Sequence, residues 1–137
     1  MIVGIVVVLV GAALLIQQNG SNAPAGSRSV SVSLDPVGNS RVQGTAAISE
    51  FEGKLKIKLA LQNAAMGEEH PAHVHLGACP TPGDVKHPLV SVANGVSETT
   101  VSIDADAFLK NLPLAIMVHK SPADLKTILV CGNIGQF

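Results

Sequence analysis

The sequence predicts an all-β domain: an antiparallel sandwich or barrel of about eight short strands. Three observations carry this. Apolar and polar residues alternate in short runs from Ser29 onward. Clusters of Gly, Pro, Asn, Asp and Ser separate those runs at regular spacing. Asn94-Gly95 is the strongest two-residue hairpin signal in the chain.

Taken in order, Ser29 to Leu34 alternates strictly, which puts Val30, Val32 and Leu34 on one face. Asp35 to Ser40 is turn chemistry, Arg41 to Phe51 reads as a second strand, and Glu52-Gly53 as a tight turn. Lys54 to Leu61 is the clearest strand: Leu55, Ile57, Leu59 and Leu61 point inward, and Lys54, Lys56 and Lys58 form a solvated face. Pro71 to Leu76 is the fourth strand. Cys79 to Asp84 is a rigid loop, and Leu89 to Val92 a short strand leading into the Asn94-Gly95 turn. Ser97 to Ile103 follows as a strand, and Asp104 to Asn111 as a helical turn or loop. Leu114 to His119, the Ser121–Lys126 loop and Thr127 to Ile134 complete the domain. No internal repeat is visible.

The N-terminus is different in kind. Met1 to Ile16 is apolar throughout, and residues 17–28 form a polar linker rich in small residues. This is the pattern of a signal peptide or an N-terminal membrane anchor, read as a hydrophobic helix. The run is slightly short of the ~20 residues a spanning helix needs. Ala23-Pro24-Ala25 offers small residues for cleavage, and no Cys follows for lipid attachment. A buried core helix is the bland alternative, but the run lacks a polar face. The domain itself is assigned to 29–137. It is expected outside the cytoplasm, periplasmic, secreted or held at the membrane by the uncleaved segment alone.

Composition excludes some functions. Lys+Arg total 9 and Asp+Glu 10, for a formal charge of -1, and neither Trp nor Tyr occurs. No basic patch is interleaved with aromatic residues, so nucleic acid is not an expected partner. An exported chain with two cysteines, Cys79 and Cys131, is expected to join them. Two buried free thiols are the alternative.

The chemistry lies with the five histidines, His70, His73, His75, His87 and His119. On a strand, positions i and i+2 share a face about 6.6 Å apart. His73 and His75 can therefore present two imidazoles to one ion while Val74 turns into the core. Imidazole suits Cu, Zn, Fe and Ni. His119 ends an apolar strand and is a candidate third ligand. Met117 shares its face and is either a soft ligand or, as the better reading, core packing.

The run His70-Pro71-Ala72-His73-Val74-His75-Leu76-Gly77 resembles the G-x-H-G-F-H-V-H segment of copper/zinc superoxide dismutases. Val118-His119-Lys120 with Ala123-Asp124-Leu125 is similar to that family's V-H-E-K-A-D-D-L segment. Val130-Cys131-Gly132-Asn133-Ile134-Gly135 is similar to its A-C-G-V-I-G ending, and Val42-Gln43-Gly44 fits near the start. The resemblance spans about Ser29 to Gln136, in order. It implies an eight-stranded Greek-key β-barrel, with His73, His75 and His119 as ligands of one copper ion. It also implies His70 as a structural hydrogen-bonding residue, a Cys79–Cys131 disulfide, and superoxide as substrate.

The chain also departs from the family. The family's long zinc-binding loop is reduced to Gly77–Lys86, so a separate zinc site is not expected. His87 is the one histidine near it. It stands open to three readings: a zinc-loop counterpart, a fourth metal ligand, or a plain exposed residue. Ile128 occupies the place of the family's anion-guiding Arg, three residues before the second Cys. Three functional readings follow: a dismutase-like copper enzyme of reduced activity, a non-enzymatic copper store or buffer, and a chordin-type binding module. The cysteine pair favours the first two, and the missing Arg favours storage over an efficient enzyme.

Overall fold

Alternation and turn chemistry build the molecule from hairpins. The computed structural model describes residues 27–137. The strands are β1 (Ser29–Pro36), β2 (Gln43–Phe51), β3 (Lys54–Gln62), β4 (Glu69–Leu76), β5 (Val85–Ala93), β6 (Val96–Val101), β7 (Leu114–Ser121) and β8 (Asp124–Ile134). A short helix, α1 (Ala105–Leu109), lies between β6 and β7. All strand pairs are antiparallel, and the sheet closes in the order β1-β2-β3-β6-β5-β4-β7-β8. The expected N-terminal helix, the signal or anchor at 1–16 and linker residues 17–26 lie outside the described residues.

Alternation decides which face is inside. In β3, Leu55, Ile57 and Leu59 are buried, and Ile48 and Ala46 on β2, the register partners of Ile57 and Leu59, are buried with them. Val32, Leu34, Ile116, Val118 and Val130 complete the same core from the other side. Asn94 and Gly95 both have positive φ, 50° and 84°, the geometry of the tight hairpin that this dipeptide favours. At Gly132 a Cβ would run into Ser33 O, so only glycine allows β8 to come this close to β1.

The lysine face is more than a solvated surface. Lys56 and Lys58 both reach Glu98 on β6 at 3.3 Å, and the Lys56 ammonium lies 4.2 Å from the centre of the Phe51 ring. At the end of the barrel, the Asp104 side chain caps α1 by accepting from Ala107 N at 2.8 Å. The helix delivers Phe108, fully buried, into the core.

Most strand boundaries shift by a residue or more from expectation, as three of them illustrate. β4 starts at Glu69, before Pro71. β5 begins at Val85 instead of Leu89. It pairs along β4 but meets β6 only at Ala93↔Val96, so Pro88 with its missing N–H is tolerated on an edge-like strand. β8 begins at Asp124, because Ser121↔Asp124 closes a tight hairpin where a loop to Lys126 was expected. Cys79 and Cys131 form a disulfide with Cα atoms 6.0 Å apart, as expected from the sequence.

Candidate metal centre

β4 and β7 run side by side, with His73 opposite Met117 and His75 opposite Ala115. Ala72, Val74, Ile116 and Val118 on these strands fill the core, so His73, His75 and His119 project from the outer face. The ladder between β7 and β8 is irregular on both sides of His119. Such irregularities re-aim a side chain. Ligand atoms of the three histidines all lie within 4.8 Å of one another. Two nitrogens on one first-row ion lie about 3–4 Å apart, so small ring movements would let the three share an ion.

Backbone carbonyls set which nitrogens are available. His75 Nδ1 donates to Gly83 O at 2.9 Å, and His119 Nδ1 donates to Leu125 O at 2.7 Å. A carbonyl oxygen only accepts, so Nδ1 carries the proton in both rings. Nε2 is then the lone-pair nitrogen of each neutral imidazole. His75 Nε2 is buried and has no hydrogen-bond partner among the described residues. His73 Nδ1 lies 3.0 Å from His119 Nε2. Without an ion, His73 Nδ1–H is the donor in that contact. To ligate through Nδ1, His73 would carry its proton on the other ring nitrogen. The donor set therefore fits a metal: Nδ1 of His73 with Nε2 of His75 and His119, two of them oriented by carbonyls.

Electrostatics act in the same direction. Burial lowers the His73 pKa below 6.5, and His119 and His75 lower it further. Burial also lowers that of His119; the bond to Leu125 O opposes this, and His75 adds to it. Neutral rings are the form that ligates.

The outer face around the cluster is covered. Ala115, Met117 and Cys131 form a second small apolar cluster, packed by Val37, Cys79 and Ile128. Met117 thus packs against the disulfide. Ile128 belongs to the same cover. Cys79 N also donates to Asn133 Oδ1 at 2.8 Å, which holds the loop after β4 in place.

The other two histidines lie on the opposite side of the sheet. His70 is buried opposite Val92, and its Nδ1 donates to Lys120 O at 2.7 Å, in keeping with a structural residue. His87 pairs with core residue Val74, and its ring stacks on Phe108 at 5.7 Å. The structure places His87 away from the three-histidine group, half-buried against Phe108. The cause is register: pairing with an inward Val turns His87 inward. The carbonyls of Gly83 and Leu125 were not foreseen, since backbone acceptors leave no mark in a sequence.

Compared with protein-family models, curated proteins and solved structures, the chain matches none of them.

Proposed function

We propose that this chain is an exported copper-binding protein of superoxide dismutase-like type, holding one copper through His73, His75 and His119. The observation that carries the reading is the donor set itself: three imidazole nitrogens converging, two with tautomers fixed by carbonyls. An all-imidazole, carboxylate-free set suits copper over magnesium or calcium. The strand order β1-β2-β3-β6-β5-β4-β7-β8 supports a Greek-key path, since β6 enters between β3 and β5. The Cys79–Cys131 disulfide supports a compartment outside the cytoplasm.

Bound copper would supply one-electron redox chemistry between Cu(II) and Cu(I). The protein's own part is to orient three neutral rings and to keep His75 and His119 largely out of water. For superoxide, the chain lacks the cationic guide, because Ile128 packs on Met117 in its place. Dismutation is therefore assigned as slow, and copper holding as the main role.

Metal analysis of the purified protein tests this. About one copper per chain is expected, and near none in a His73→Ala, His75→Ala variant. Equal copper in both would remove the site. A superoxide-consumption rate well above that of free copper ions would overturn the assignment of slow dismutation.

A further inference from the structure

The carbonyls that orient His75 and His119 come from different places. Gly83 lies on the loop after β4, near the disulfide, whereas Leu125 lies at the start of β8. The ladder around Leu125 is uneven. Between the pairs His119↔Ile128 and Ser121↔Asp124, β7 has the single residue Lys120, and β8 has Leu125, Lys126 and Thr127. β8 therefore bulges here, and none of these three residues has a register partner on β7. The Leu125 side chain is 49% exposed, while its carbonyl oxygen accepts from His119 Nδ1 at 2.7 Å. With the ladder interrupted, the bulge must be held by something else. Asp124 does this: Oδ1 accepts from Thr127 N at 3.1 Å, and Oδ2 accepts from Thr127 Oγ1 at 2.8 Å. One carboxylate thus spans the bulge from its flank to its last residue. These bonds, the hydroxyl's first, hold the Asp124 pKa below 3.8, so the carboxylate stays charged and accepting at neutral pH.

We propose that Asp124 and Thr127 are positioning residues of the metal centre. They staple the bulge that aims Leu125 O at His119, and so set how tightly copper is held. The proposal rests on the copper reading for its ion and on these hydrogen bonds for its geometry. Neither residue is a ligand. A group that accepts from the far side of a ligating imidazole fixes the tautomer and the ring orientation, and losing it costs roughly 10–100-fold in metal affinity. Here the carbonyl is loosened rather than removed, so the effect falls at the low end of that range.

Two measurements on the full chain test this: imidazole nitrogen–proton NMR spectra of the metal-free protein, and copper affinity by competition with a chelator. The wild type is expected to show slowly exchanging Nδ1–H signals from both His75 and His119. Asp124→Ala is expected to lose the His119 signal, keep that of His75, and hold copper about tenfold less tightly. Thr127→Val removes only the hydroxyl contact and is expected to fall between. Asp124→Asn keeps an acceptor for Thr127 N and is expected to restore most of the wild-type behaviour. Asp104→Ala removes another exposed aspartate contact, at the cap of α1, and is expected to change neither signal nor affinity. The proposal is overturned if Asp124→Ala keeps the His119 signal and wild-type affinity, if it loses the His75 signal as well, or if Asp104→Ala weakens copper equally. A wild type that binds no copper, with the His119 signal still lost in Asp124→Ala, would overturn the copper reading and support the staple.

Discussion

The two halves of the barrel treat their outer faces differently. In β1, β2, β3 and β6 one face is core and the other meets water, so buried and open positions alternate. In β7, six consecutive residues from Leu114 to His119 are buried, because the disulfide and its apolar neighbours cover the outside. The registers β1–β2, β2–β3 and β3–β6 run without a break, whereas the β4–β5 and β7–β8 ladders carry shifts. The regular half is scaffold. The irregular half, covered on both faces at β7, can hold neutral imidazoles beside each other there, which a water-facing sheet surface does poorly.

The largest test of this contrast is to open the cover. Cys79→Ala with Cys131→Ala frees a loop of sequence separation 52 and is expected to cost about 4 kcal/mol in urea unfolding. A loss below about 1 kcal/mol would mean that the outer face closes without its covalent tie.

Next comes a pair of outward residues in opposite halves. Met117→Ala removes buried packing on β7 and is expected to cost about 2–4 kcal/mol. Lys58→Ala on β3 is expected to change stability by no more than about 0.5 kcal/mol, since its contact with Glu98 is exposed. Equal losses would erase the distinction between the halves.

The smallest effect is expected from acid. His73, His119 and His87 all have pKa values lowered from 6.5, chiefly by burial. The unfolded chain therefore binds more protons below 6.5, and the metal-free protein loses stability as pH falls from there through the folded values. Glu98, in the other half, has its pKa lowered from 4.5 by Lys56 and then Lys58. Its contribution is complete above 4.5 and lost only as pH falls through the lowered value. Urea midpoints measured from pH 7.5 to pH 3.5 should thus begin to drop near 6.5, on the histidine side. Midpoints flat down to 4.5 would show that the rings are not held neutral by burial.

Much of the fold is legible in the sequence. Val30, Val32 and Leu34, and then Leu55, Ile57 and Leu59, declare their inner face through a period of two. Asn94-Gly95 declares its turn through the positive φ it tolerates. Errors fell where tertiary pairing overrides local pattern. Val85 to Pro88 lacks a clean alternation, yet β4 recruits it as strand. Lys126 belongs to β8 because Asp124 pairs with Ser121.

The candidate site divides in the same way. The sequence by itself determined that His73 and His75 share a face, that His119 lies on a strand on the face of Met117, and that two cysteines were available to join. These are consequences of strand periodicity and composition, which act over a few residues. Only the tertiary structure decided which strands lie adjacent, and thereby set His119 beside His73 across 46 positions of chain. It also decided that His87 turns to Phe108, and that Gly83 and Leu125 take the Nδ1 protons. Those outcomes depend on register, bulges and backbone carbonyls brought together through space, and no local pattern of side chains encodes them.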